Sequence, residues 1–321
     1  MRRALLILFL VLCAILLWLA RPLSRRGFES SPHPAASYAE ALRLVDSLRA
    51  RDGRDVAPEC GTRLLTHGQR TPRVIVLLHG LTNCPAQFDS LGHMSFERGA
   101  NVLIPRIPHH GLADRMTEDL AAMNAPELRA FTDRVLDAAA GLGDSVTVAG
   151  LSMGGTLSAW AAQNRPGIDR AVLIAPMIGI AAARGRRTPA VARLMSTLPN
   201  RFMWWDPRKK QDLPGPAHVY PRFATHATGA VLQLGWTTLE DAGRAPPRCR
   251  SLAIVTVGGD MAVDNGLCST LESEWRKQGV TDLTTYEFPK SLHLNHDVID
   301  PEQVGAQPSI TYPVLTRFLG P

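Results

Sequence analysis

Residues Val146–Gly155 read V-T-V-A-G-L-S-M-G-G and run on into the helix-prone T-L-S-A-W-A-A. A buried-strand run, a serine framed as G-x-S-x-G and a helix start follow one another without a break. This is the strand–turn–helix context of a nucleophile elbow. The constraint is geometric. A serine on so sharp a turn points its Oγ away from the sheet, and the residues two places either side must lack side chains or the backbones collide. Gly150 and Gly154 supply that clearance, and Gly155 adds to it. The turn also aims the N–H of Met153 and a helix N-terminus at the place where negative charge would develop on an attacked carbonyl. Ser152 is the candidate nucleophile.

The other end of the chain sets a second constraint. Ala4–Ala20 is an uninterrupted, almost wholly apolar run between arginine clusters. As a helix it spans about 25 Å, at the short end for crossing a bilayer core. A cleaved signal peptide competes with this reading, but it would want a shorter apolar core and a small-x-small site, and the run ends Trp18-Leu19-Ala20. The expectation is a single membrane anchor over residues 1–21, a Pro-, Ser- and Arg-rich tether over 22–36, and an extracytoplasmic domain over 37–321. The formal charge of +6 is partly explained by Arg2, Arg3, Arg21, Arg25 and Arg26 around the anchor. No basic stripe with interleaved aromatics suggests a nucleic-acid partner.

Short apolar runs at Arg73–Leu78, Ala100–Ile107, Ser145–Ala149, Arg170–Ala175, Ser251–Val257 and Asp282–Phe288 alternate with helical patterns. Those patterns include Ser37–Arg51, Ala125–Gly141, Met153–Asn164, Leu267–Gln278 and Pro308–Phe318. The alternation predicts an α/β fold with a mostly parallel sheet covered on both faces. One stretch, about 177–249, shows no clear buried strand. An insertion of that length reads as a cap whose apolar residues roof a pocket. Outside the anchor stand Cys60, Cys84, Cys249 and Cys268. Their number permits disulfides, a domain of this size does not need them, and buried free thiols are the default expectation.

A serine hydroxyl needs a base, and the base an orienting acid. In chain order the acid follows the serine and the histidine comes last. After the strand ending at Val257 the chain reads G-G-D-M-A-V-D-N. Asp260 stands at the strand end, whereas Asp264 is placed to cap the next helix. The final loop, K-S-L-H-L-N-H-D-V-I-D, offers His293 and His296. Asp260 and His296 are the expected pair, with Asp297 a loop residue that is also able to orient the ring. The loop opening His79-Gly80 should supply the second oxyanion donor, the N–H of Leu81, beside that of Met153, with His79 fixing the loop. His109 and His110 have no carboxylate or cysteine at ligand spacing, so no metal is expected.

Taken together, H-G-L-T-N-C-P at His79–Pro85, R-I-P-H-H-G at Arg106–Gly111, G-L-S-M-G-G at Gly150–Gly155, D-x-x-V at Asp260–Val263 and the late histidine resemble the α/β-hydrolase superfamily. Within it they resemble the bacterial carboxylesterase and monoacylglycerol-lipase-like branch. The resemblance implies an eight-stranded sheet, a lid after the sixth strand, and cofactor-free hydrolysis of lipid-derived or small acyl esters through an acyl-enzyme. Two departures are plain: His109 stands where a glycine is usual, and the final loop holds two histidines instead of one. A thioesterase or peptidase with the same triad, a metal-dependent hydrolase, or a non-catalytic binding protein on this fold are the rival readings.

Overall fold

The apolar runs pair edge to edge because all but Asp282–Phe288 are buried on both faces and have nowhere else to satisfy their backbone. The computed structural model describes residues 2–213 and 215–320. Helices α1 (Arg2–Ala20) and α2 (Tyr38–Ala50) lead into strands β1 (Arg63–Leu65) and β2 (Thr71–Leu78). Then come α3 (Asp89–Glu97), β3 (Asn101–Ile104), α4 (Ala125–Leu142), β4 (Gly143–Leu151), α5 (Met153–Asn164) and β5 (Arg170–Ile174). Between β5 and the next strand of the main sheet lie α6 (Thr188–Thr197), β6 (Phe202–Trp204), β7 (Arg222–Ala224) and α7 (Thr225–Ala242). The chain closes with β8 (Ser251–Val257), α8 (Asn265–Lys277), β9 (Leu283–Phe288) and α9 (Pro308–Leu319).

The main sheet has seven strands in the order β1-β3-β2-β4-β5-β8-β9, parallel except for β1. The expected eighth strand is not formed among the described residues. The segment before β1 turns into a 3-10 helix at Pro58–Cys60, and it makes only an isolated bridge, Val56 to Leu112. The segment between β5 and β8 contributes no strand to this sheet, only a short separate antiparallel ribbon of β6 and β7. Register decides where loops emerge. Leu78 pairs with Gly150, and Gly150 with Leu173, so the loops after β2, β4 and β5 leave one edge side by side.

Residues 22–36, read as a tether, are fastened along the domain. Leu23, Phe28 and Ala35 are buried. Asp133 accepts from the Ser30 hydroxyl and the Ser31 N–H, Asp137 from the His33 N–H, and Trp160 donates to the Phe28 carbonyl. The two carboxylates also hold the buried Arg165 guanidinium, at 2.7 and 2.5 Å. No local pattern in 22–36 announces this, because the partners lie about a hundred residues away.

The four cysteines beyond α1 divide into two kinds. Cys60 and Cys84 form a disulfide with Cα atoms 5.2 Å apart, while Cys249 and Cys268 are buried free thiols. The bridge ties the 3-10 helix before β1 to the loop after β2, two segments the sheet brings together across 24 residues of chain. Closing a loop of that length restricts the unfolded chain by about 3 kcal/mol. Replacing both residues with alanine should therefore lower stability by about 3 kcal/mol. The urea midpoint measures this, and an unchanged midpoint would mean that the bridge adds nothing.

Candidate functional site

Ser152 sits between β4 and α5 with φ 57° and ψ −112°, a conformation that costs an L-residue energy and persists only where the surroundings impose it. The imposition is visible. A Cβ on Gly150 would lie 2.3 Å from the Gly154 carbonyl carbon, and one on Gly154 only 1.9 Å from the Leu78 oxygen. Strand, turn and helix are packed backbone to backbone. The Ser152 N–H donates to the Ile174 carbonyl at 2.9 Å, and its own carbonyl accepts from Met177 N–H at 3.1 Å. Sheet neighbours on both sides thus pin the turn.

Asp260 follows the Gly258-Gly259 turn at the end of β8, Gly259 taking φ +82°. One carboxylate oxygen accepts the N–H groups of Ala262 and Val263 at 2.7 and 3.2 Å; the other lies 2.7 Å from His296 Nδ1. Burial pushes this carboxyl upward, but the hydrogen bonds from His296, Ala262 and Val263 outweigh it and the net shift is downward. An ionised carboxylate only accepts, so the imidazole carries its proton on Nδ1 and presents Nε2 as an acceptor. His293 is elsewhere: it adopts φ +51°, is exposed, and does not line the cavity. Asp264 caps α8 through the Gly266 N–H and reaches the Gly185 N–H with its other oxygen.

Ser152, Leu81 and His296 line one cavity of about 600 Å³. Met177, Met195, Met203, Trp205, Val219 and Phe223 make most of its wall apolar, and all but Met177 come from α6 and the segment between it and α7. Two bonds tie that segment to the loop after β2: Trp205 Nε1 donates to Thr82 Oγ1 at 3.0 Å, and the Tyr220 N–H to the Thr82 carbonyl at 2.8 Å. The Leu81 N–H has no acceptor among the described residues. Met153 opens α5, where N–H groups lack intrahelical acceptors. His79 is wholly buried, contacts the Gly80 carbonyl through Nδ1 at 2.9 Å and accepts the Ile107 N–H on Nε2 at 3.0 Å. Burial drives its pKa down to about 3, so it is a neutral brace for the loop.

Sequence reasoning did not find the bonds behind this wall. Asp297 makes no hydrogen bond to the His296 ring; its carboxylate turns to Gln87, Asn83, Gln303 and two backbone N–H groups. His218 bonds Asp300 through Nε2 at 2.8 Å, deep under the cavity's rim. The bonds from Asp297 to Asn83 and Gln87 and from Asp300 to His218 span 82 to 214 residues of sequence, and no local pattern carries them.

The pair His109-His110 splits. His110 is buried with Nδ1 on the Pro108 carbonyl. His109 takes φ 68°, which is why a glycine is usual here, and stands between Asp119 and Glu127, 2.9 Å from each. No group of three or more metal-ligating side chains suited to an ion occurs among the described residues. The Glu127 hydrogen bond, aided by Asp119, raises the His109 pKa above its ordinary 6.5 against the effect of burial. A raised histidine stabilises the fold fully below the unfolded value and loses that contribution as pH climbs through the folded value. His109→Asn, which tolerates the positive φ, should therefore lower stability at pH 5.5 by about 0.5–1 kcal/mol after solvent screening, and by less at pH 9. Urea midpoints at the two pH values test this, and a gap that widens with pH would contradict it.

A family model described as "Alpha/beta hydrolase family" matches residues 75–304. A search of curated protein sequences found no match. Among solved structures, the chain is similar to one described with LipS and LipT, two metagenome-derived lipolytic enzymes, at 18% identity, TM-score 0.60, covering 82% of this chain and 98% of that one. It is similar to Paleococcus ferrophilus monoacylglycerol lipase at 16% identity, TM-score 0.60, with 80% and 97% covered. A soluble variant of monoglyceride lipase from Saccharomyces cerevisiae matches at 14% identity, TM-score 0.58, with 81% and 90% covered. Identities this low speak to the fold alone. The family match over most of the chain, with the sheet order and the turn at Ser152 in agreement, places this chain in the α/β-hydrolase family.

Proposed function

We propose that the chain is a membrane-anchored serine hydrolase of carboxylic esters working through an acyl-enzyme. The observation that carries this reading is the convergence of a strained, buried serine and an Asp260-oriented imidazole on one apolar cavity. Ser152 Oγ attacks the ester carbonyl as its proton passes to His296 Nε2. Asp260 holds the resulting imidazolium, and the N–H groups of Leu81 and Met153 receive the oxyanion. Collapse expels the alcohol, which takes the proton from Nε2, and water repeats the sequence to release the acid. Each step uses only side chains, backbone and water, so no cofactor enters.

Lipid-derived esters are the favoured substrates. The cavity is methionine-rich and deformable, and its mouth exposes Met261 at 91% and Val304 at 82%. The anchor points the same way. Helix α1 buries none of its residues and is long and apolar enough to cross a membrane. Its end meets α6, where Arg193 donates to the Arg21 carbonyl at 2.6 Å and covers the Trp18 ring at 5.4 Å. The same helix supplies Met195 to the cavity. In this reading residues 1–21 anchor the chain, 177–249 form the cap, and the Cys60–Cys84 disulfide favours an oxidising, extracytoplasmic side.

The test is turnover of p-nitrophenyl esters of increasing chain length by the full-length protein in nanodiscs, beside matched thioesters and amides. The expected result is Ser152-dependent ester cleavage with a preference for the longer chains. Faster cleavage of the thioester or amide would replace the ester assignment. No Ser152-dependent turnover of any of them would end the hydrolase reading.

A further inference from the structure

Beside His296 the chain places a second carboxylate that the proposed chemistry does not use. Asp297 receives the Ile299 and Asp300 N–H groups on Oδ1, at 3.0 Å each. Its Oδ2 receives Gln87 Nε2 at 2.7 Å and, at 3.4 Å, Asn83 Nδ2 and Gln303 Nε2. Gln87 is only 2% exposed, and its Oε1 accepts the Gly80 N–H at 2.8 Å. The direction of this chain of bonds is forced. A backbone N–H offers only a hydrogen, so Gln87 must turn its oxygen toward Gly80. Its amide nitrogen then faces the other way, in a buried place where it needs an acceptor. Asp297 is that acceptor. Asn83, at the far end of the same loop, uses its Oδ1 on the Cys84 N–H. The loop from Gly80 to Cys84 is thus held at both ends from one carboxylate, and the residue before that carboxylate is His296.

Resting on the hydrolase reading above, we propose that Asp297 is a positioning residue. Through Gln87 it sets the peptide that presents the Leu81 N–H to the oxyanion, and it locks that loop to the loop carrying His296. The logic is one of distance: an oxyanion donor works only when held close to where charge develops, and a shift of a few tenths of an ångström weakens it.

The test swaps the polarity of the buried pair in full-length protein. Asp297→Asn is isosteric, but whichever way the new amide turns, it sets an NH₂ either against the Gln87 NH₂ or against two backbone N–H groups. Gln87→Glu sets a carboxylate against a carboxylate. The double variant, Gln87→Glu with Asp297→Asn, restores donor to acceptor in the reverse direction. With active sites titrated by a fluorophosphonate, each single change should lower kcat for a short ester by about 10–100-fold, in the range of a disturbed oxyanion donor. KM should stay within about twofold, and the double variant should regain at least about fivefold of the lost kcat. A purely structural role would instead lower the titrated fraction and leave kcat per site unchanged. Single variants with parental kcat per site, or a double variant no better than the worse single, would overturn the proposal while leaving the hydrolase reading standing. A parent without Ser152-dependent turnover would overturn both.

Discussion

Ser152→Ala should lower ester turnover by about 10⁴–10⁶-fold, the range seen when a serine hydrolase loses its nucleophile. The fold should survive the change. The side-chain hydroxyl has no hydrogen-bond partner among the described residues, so no partner is orphaned by its loss. Alanine tolerates φ 57° about as poorly as serine, so the strain at the turn is unaltered. What remains should be the slow background of a cavity that binds the ester and still offers the Leu81 and Met153 donors without a nucleophile. Circular dichroism and kcat on one short ester decide the matter together, and fluorophosphonate labelling of the parent but not the variant identifies the attacked atom. A folded variant with activity within about tenfold of the parent would remove Ser152 from the chemistry.

Gly154→Ala should be the most damaging single methyl group in the protein. The added carbon would lie 1.9 Å from the Leu78 oxygen, 2.6 Å from the Leu78 carbonyl carbon and 2.8 Å from the His79 oxygen. All three are backbone atoms of β2 and the loop it feeds, and β2 is held in register by β3 and β4 on its two sides. Relief requires moving α5 off the sheet, which opens packing around Leu157 and Trp160. We expect a loss of more than about 4 kcal/mol, in the class of severe overpacking, and a melting temperature lower by about 10 °C. Gly266→Ala is the control, because there the new carbon meets only the Asp264 Oδ1 atom at 3.1 Å, at the start of α8. That change should fall within about 1 kcal/mol of neutral. Equal melting temperatures for the two variants would mean that the helix start is free to shift.

The elbow is legible in the sequence because its constraint is local. Clearance two residues either side of Ser152 is a statement about adjacent backbone, and five letters of sequence encode it. The strand runs were legible for a similar reason, since burial on both faces demands a continuous apolar string, and those strings matched β2, β4, β5 and β8 closely. Chain order narrowed the acid and the base to two candidates each. Between His293 and His296 only the folded loop distinguishes: a positive φ at His293 swings it to solvent, while His296 meets Asp260 at 2.7 Å. Other features depended wholly on tertiary structure. Cys60 meets Cys84, Asp133 and Asp137 capture residues 30–33, and Asp297 reaches Gln87, through contacts that span up to 210 residues. Side chains in such pairs carry no periodic signature, and their partners are selected by which loops the sheet register sets side by side. The sequence alone therefore determined the strand order's raw material and the turn that displays Ser152. Tertiary structure decided how the loops around that serine are held, because hydrogen bonds between distant segments exist only once the sheet has brought them within 3 Å.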